Sequence, residues 1–372
     1  MNLGVASEAL GRRQQSLAYY EQSVALSEAI GDEREAARAQ VNAAAILVEY
    51  GPSPDDGVRR VQSALTVFRK IGDKSFEVLG LRVLGAYYRN GGRTKEAEQS
   101  FDQALSIARE RGLEDDAVGI RLDIARTQLA QGRYADALTA LEAVAREPRS
   151  RDSTHAKVLV GVALARLGDA TGAEESFAQA SQDVDTSGDA SLAPLLRLSR
   201  GELALEQGDR TRALAFFRQA AVVQGDEPPD ASAVAAAAYR DWLSAGAGGR
   251  RSREPLGDTV ARAAVLKRAS LEGLCRVLQA RLQLDGGDST AALTTLELDR
   301  SVEAGLDAET AAAVHAARAA AFARQGETAR VEAARAEIRR VIGTLTQGLP
   351  EPARASFQRR PSIAALVQAS GQ

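Results

Sequence analysis

The sequence predicts an all-α solenoid of about nine helical hairpins, and three observations predict it. A turn glycine recurs at Gly11, Gly51, Gly92, Gly132, Gly168, Gly208, Gly287 and Gly326, with gaps of 40, 41, 40, 36, 40, 79 and 39 residues. The longest gap is two periods, and the cluster Gly246, Gly248 and Gly249 falls at its middle. Around these glycines the side chains repeat in the order small, large, small. Finally, aromatic residues are only 4% of the 372, while 45% are apolar. Short side chains must therefore fill many thin helix contacts rather than one thick core. A hairpin of this length cannot bury its apolar stripe alone, so neighbours must stack.

Within each unit the pattern defines two helices. Seven places before the glycine the residue is small: Gly4, Ala44, Gly85, Ala125, Gly161, Gly201, Ala280 and Ala319. Five places after it stand Ser16, Ala97, Ala137, Ala173, Ala213 and Ala292, and nine after it Tyr20, Phe101, Leu141, Phe177, Phe217 and Leu296. Twelve after it come Ser23, Ala104, Val144, Ala180 and Ala220. The last three sets share one face of a second helix. The small residue on the first helix lets the axes approach, and the ring or leucine fills the hole that remains. The second unit fits with a one-residue slip, through Gly57, Val61 and Ala64. Between hairpins, Gly31-Asp32, Gly72-Asp73, Gly188-Asp189 and Gly225-Asp226 end one helix and cap the next, with Gly112 and Gly305 in equivalent places.

The stretch from Leu84 to Ala108, LGAYYRNGGRTKEAEQSFDQALSIA, resembles a tetratricopeptide repeat, with Leu84, Gly85, Tyr88, Gly92, Ala97, Phe101 and Ala104 at that family's signature places. GVALARLGDATGAEESFAQA and GELALEQGDRTRALAFFRQA repeat the match. The period near 40 is similar to the longer-helix variety found in bacterial signalling and transcription regulators. The resemblance covers nearly all of residues 1–345. It implies a right-handed superhelix whose first helices line a concave face.

Residues 1–224 read as six repeats, 225–287 as a degenerate region with a Gly/Arg loop, 288–346 as the final repeats, and 347–372 as a capping helix and tail. In the degenerate region Pro228 and Pro229 open a helix of about 231–245 carrying Tyr239 and Trp242. GAGGRRSREPLGD is then a solvated loop whose Ser252 is flanked by arginines. From Thr259 to Leu284 the residues leave open one long helix or two with a tight join. The last unit carries Arg335 where an aromatic is expected, and Phe357, Ile363 and Leu366 of the tail are expected to cover the last apolar groove. At the start, Met1 lies one turn late in its helix, which leaves Leu3 and its neighbours exposed. That pattern is expected of a chain preceded by an effector domain.

Composition excludes several functions. A net charge of −3, from 47 basic and 50 acidic residues, does not suit direct nucleic-acid binding. No run of residues is long and apolar enough for a membrane span or a secretory signal, so a cytoplasmic location is expected. With Cys275 as the one cysteine and His155 and His315 as the two histidines, no disulfide, metal site, cofactor or catalytic constellation is expected, and the chain is not expected to be an enzyme.

The expected function is a protein-interaction scaffold or sensor that holds a partner peptide or helix in its concave groove. The alternative is a small-molecule-sensing domain of a bacterial transcription regulator. Arg82 and Arg89 in the third unit, Arg126 in the fourth, Arg166 in the fifth and Arg38 in the second fall on first-helix faces that packing does not need. Such a strip suits an acidic peptide, because guanidinium forks bind carboxylates in pairs of hydrogen bonds. It ends at the sixth unit, where Glu202 and Glu206 take the same face. Resemblance adds Asn42, with Asn2 at the same place, where relatives that hold extended peptides carry an asparagine. The later units do not continue that ladder, and a chaperone-type carboxylate clamp is not reproduced.

Overall fold

The structure is a computed structural model and describes residues 1–9, 11–51, 53–147, 150–187, 190–223, 227, 229–247 and 256–371. Among the described residues every element is helical. The first three hairpins are α1 (Asn2–Ala9) with α2 (Arg13–Ala29), α3 (Glu33–Glu49) with α4 (Pro54–Ile71), and α5 (Lys74–Asn90) with α6 (Thr94–Arg111). The next three are α7 (Glu114–Ala130) with α8 (Tyr134–Ala145), α9 (Arg151–Leu167) with α10 (Ala170–Ser187), and α11 (Ala193–Glu206) with α12 (Arg210–Ala220). Then follow α13 (Ala231–Ala247) with α14 (Gly257–Val265), and α15 (Ala269–Asp285) with the short α16 (Ser289–Thr295) and α17 (Arg300–Ala304). The last hairpin is α18 (Ala308–Arg324) with α19 (Thr328–Thr346), and the tail forms α20 (Glu351–Arg359) and α21 (Pro361–Ala369).

Each hairpin closes as its side-chain sizes require. Tyr20, Phe101, Leu141, Phe177, Phe217 and Leu296 are all buried to 1% exposure or less. A Cβ on Gly4, Gly85, Gly161 or Gly201 would stand 2.5 Å from a ring carbon of Tyr20, Phe101, Phe177 or Phe217 respectively. Only glycine allows that approach. The turn glycines of seven hairpins have positive φ, from 72° at Gly11 to 87° at Gly287, which lets two helices reverse in very few residues. Gly51 is the exception, and the longer turn through Ser53 and Pro54 accounts for the one-residue slip of α4.

Between hairpins, Gly31, Gly72 and Gly112 are left-handed, whereas Gly305 has φ −95° and does not act as their equivalent. The Asp32 and Asp73 carboxylates accept from the backbone N–H of Glu35 at 3.0 Å and Phe76 at 3.4 Å, capping α3 and α5. Gly188-Asp189, Gly225-Asp226, Pro228 and the loop with Ser252 lie outside the described residues. Residues 259–285 form two helices, broken at Lys267, whose φ of 49° ends α14. The tail is likewise two helices rather than one. Pro361 holds Arg360 extended, at φ −58° and ψ 130°, and so breaks the helix before it.

The solenoid coils tightly enough for its second superhelical turn to rest on its first. The turns of the first three hairpins meet the links that open the hairpins six places later in the chain. Arg13 pairs with Asp230 at 3.3 Å, and the Gln14 N–H donates to Glu227 at 3.2 Å. The Arg268 guanidinium donates to the Glu49 carbonyl at 2.7 Å, and Lys267 pairs with Asp55. Gly92 lies directly against the backbone of Gly305, where any side chain would collide. Phe357, expected over the last groove alone, also packs on Tyr134 of the fourth hairpin, with ring centroids 6.3 Å apart. The tail is therefore wedged between the two turns. At the other end Leu3 and Val5 are exposed, as expected.

Candidate functional site

The first helices turn a row of charged side chains inward, and their pairing maps the inner face. Arg126 on α7 reaches Glu49 on α3 at 3.0 Å, skipping the hairpin between them. Such a contact is possible only across the inside of the coil. Glu49 is also faced by Arg268 at 3.4 Å and Arg89 at 3.8 Å. Asp123 is faced by Arg82 at 3.1 Å, Arg89 at 3.4 Å and Arg126 at 3.5 Å. Four guanidiniums thus share two carboxylates.

Burial alone would raise the Glu49 carboxyl, but Arg268, Arg126 and Arg89 hold it well below the usual carboxylate range. Burial and the neighbouring Arg126 bring Arg89 down to about 10. His155, one hairpin further on, is pushed down to about 3 by burial, then by Arg126 and Arg151, so it stays neutral. Asp152 beside it is raised by burial.

A second cluster centres on Glu309, in the first turn of α18. Its carboxylate accepts from Arg166 at 2.7 Å, from Arg360 at 2.7 and 2.9 Å, and from the Tyr134 hydroxyl at 2.8 Å. Burial would raise this carboxyl, yet Arg166 and Arg360 bring it down to about 2. Arg360 also donates to Glu206 at 3.0 Å. Glu202 is held more loosely, 3.6 Å from Arg166 and 3.4 Å from the Tyr239 hydroxyl that donates to it, and burial raises its pKa. Tyr239 is fixed by stacking on Phe217, with centroids 4.7 Å apart.

Among the residues expected to bind a partner, the structure brings Arg82, Arg89 and Arg126 together in the first cluster and puts Arg166 in the second. Arg38 lies apart, at the linking edge, paired with Glu35 at 2.7 Å and Asp73 at 2.8 Å and lying 4.6 Å over the Phe76 ring. The Asn42 amide contacts the Met1 sulfur at 3.6 Å. None of these arginines presents a guanidinium without a partner carboxylate. The inner face is a balanced ionic lining rather than an open basic strip.

Glu49, Asp123, Arg268, Glu309 and Arg360 were not anticipated: Glu49, Arg268, Glu309 and Arg360 have partners on distant hairpins, and Asp123 meets Arg82 and Arg89 of the preceding hairpin and Arg126 on its own helix. Arg281 was within reach of the register. It stands six places before Gly287, as Arg126 stands six before Gly132 and Glu202 six before Gly208. Among the described residues no group of three or more His, Cys, Asp or Glu side chains could hold a metal ion. No described helix is long and apolar enough to cross a membrane.

A family model described as soluble NSF attachment protein, SNAP, matches residues 11–160, less than half of the chain. No curated protein matches the sequence. Among solved structures, a Rap protein complexed with competence and sporulation factor is similar at a TM-score of 0.64, with 14% identity over 96% of both chains. The apo form of the quorum sensor NprR from B. thuringiensis is similar at 0.52, with 13% identity over 92% of this chain and 96% of that one. These likenesses show a shared fold.

Proposed function

Taking the chain as a superhelix of tetratricopeptide-type repeats, we propose that it is a non-catalytic scaffold that holds a protein segment, in the form of an extended peptide or a helix, against its inner face. The observation that carries this reading is the charged lining itself. From Glu49 on α3 to Glu202 on α11, the first helices aim ionisable groups inward, where packing between hairpins does not need them. Desolvating so many charges is costly, and a fold that needed only stability would fill this space with apolar side chains. A peptide backbone and its side chains can exchange with these pairs, since guanidinium and carboxylate both hydrogen-bond to amides.

The two similar solved structures support the reading, one complexed with competence and sporulation factor and the other a quorum sensor. On this reading Arg82, Arg89, Arg126 and Arg166 exchange an internal carboxylate for one on the partner, and an acidic segment is the favoured occupant. A cytoplasmic regulatory role in a bacterium, with an effector domain attached, belongs to the same proposal. Panning a random dodecapeptide display library on the immobilised chain tests it. Convergence on a family whose synthetic members bind reversibly is expected, and panning that never converges contradicts it.

A further inference from the structure

The tail lies in the seam between the two superhelical turns in the manner of a bound segment. Arg360 is extended between the nine-residue helices α20 and α21, and its side chain is only 4% exposed. One terminal nitrogen donates to the Arg166 carbonyl at 2.9 Å and to Glu309 at 2.7 Å. The other donates to Glu309 at 2.9 Å and to Glu206 at 3.0 Å. The terminal N–H groups thus find acceptors on α9, α11 and α18, three elements far apart in the chain. Two residues on, the Ser362 backbone N–H donates to Glu206 at 3.2 Å, and its hydroxyl donates to the same carboxylate. Among the described residues every hydrogen bond to Glu206 comes from the tail.

Without the tail this seat is acidic. Glu206, Arg360, Glu309, Arg166 and Glu202 form one alternating row, with successive contacts of 3.0, 2.7, 2.7 and 3.6 Å. Remove Arg360 and three carboxylates share Arg166 alone, beside a last-turn carbonyl of α9 that also favours a cation. A guanidinium suits the gap better than an ammonium, because four donors are needed there and an ammonium has three. Apolar contacts fix the arginine's place. Phe357, three residues before it, packs on Tyr134, and Ile363, three after it, is fully buried. An apolar cap would close the last groove without desolvating this row of charges. Neither nine-residue helix would hold its shape alone, so the tail is ordered by what it binds.

We propose that the seat between Glu206 and Glu309 recognises an arginine of the partner segment, and that the tail is its built-in competitor, released when the partner's arginine takes the place of Arg360. The tail itself states the pattern that fits: an aromatic residue, an arginine three places on, and a large aliphatic residue three places further. The inference rests on the peptide-binding reading above and deepens it. It adds a basic anchor to the acidic stretch that faces Arg82, Arg89 and Arg126, and a tethered competitor whose high local concentration sets the threshold for binding.

A fluorescent synthetic peptide of residues 351–369 is the probe, and a second peptide carries Arg360→Gln. Both are titrated by anisotropy against the full unaltered chain and the full Arg360→Gln chain. The cis tail should hold the probe out of the unaltered chain, and the Arg360→Gln chain should bind it about tenfold or more tightly. The Arg360→Gln peptide should lose that gain, as should a chain that carries Glu206→Gln together with Arg360→Gln. Equal binding of the two peptides, or equal binding of the probe to the two chains, overturns the arginine seat. Hydrogen exchange on the isotope-labelled unaltered chain needs no variant to fold. With millimolar probe the chain's own α20 and α21 should exchange faster, and unchanged exchange overturns the displacement. Failure of these tests leaves the scaffold reading intact, because peptides panned on the chain need not carry this pattern. Panning that never converges, with the probe still displacing the tail, overturns the scaffold reading and leaves the seat.

Discussion

Replacing Glu309 with glutamine removes one charge from the junction where α9, α18 and the tail meet. The geometry lets the cost be worked out. Glu309 accepts four hydrogen bonds, three of them from arginines within 2.7–2.9 Å. Its carboxyl lies at about 2 against an ordinary 4.5, a difference that corresponds to about 3 kcal/mol at neutral pH. Removing one partner of a buried ion pair costs about 3–5 kcal/mol by a separate line of argument, since it leaves Arg166 and Arg360 underpaired. Both routes give the same order of magnitude.

Because Glu309 ties the tail to the fifth hairpin, the loss should appear first as opening between the two turns. Small-angle scattering of Glu309→Gln should show a larger radius of gyration, and its urea midpoint should fall. The sign with pH follows from the depressed pKa. The carboxylate's contribution is complete above the unfolded value near 4.5 and is lost as the pH falls from there towards 2. The unaltered protein should therefore expand over that window, and the variant, lacking this group, should show less of that change. A variant with unchanged scattering and a midpoint shift worth under about 0.5 kcal/mol would refute the assignment of closure to this junction.

Gly85→Ala should destabilise by about 1–3 kcal/mol, because its Cβ collides with the buried Phe101 ring. Gly112→Ala, whose Cβ would meet nothing, should cost only about 1 kcal/mol for its left-handed backbone, and paired thermal melts would rank the two. His155 is neutral in the folded chain and titrates near 6.5 when unfolded, so unfolding takes up a proton between pH 6.5 and about 3. Stability should fall in that window at about 1.4 kcal/mol per pH unit from this group, and His155→Gln should flatten the slope in urea titrations. Phe217→Ala removes both the filling of its hairpin and the platform under Tyr239, and should cost about 3–5 kcal/mol in a urea titration.

The hairpins were legible because their packing is local. Gly85 meets Phe101 within one repeat, and that pair recurs as Gly4 with Tyr20, Gly161 with Phe177 and Gly201 with Phe217. The contacts between superhelical turns were not. Glu49 and Arg268 lie 219 residues apart, and their meeting depends on small rotations summed over six hairpins. That is why Arg82, Arg89 and Arg126 read as an open strip. Their helical faces follow from spacing, but which carboxylate each meets depends on how hairpins pack: Glu49 reaches Arg126 from two hairpins away, and Asp123 faces Arg82 and Arg89 of the preceding hairpin as well as Arg126 on its own helix. The same blindness placed Phe357 on the last groove and missed Tyr134 beneath it.

Hydrogen exchange with and without a peptide selected on the full chain tests the central claim, that the partner lies on the inner face. The account predicts protection concentrated on the first helices α5, α7, α9, α11 and α15, with the outer helices α6, α8, α10 and α12 unchanged. Protection confined to the outer helices or to the exposed end at Leu3 and Val5 would contradict it.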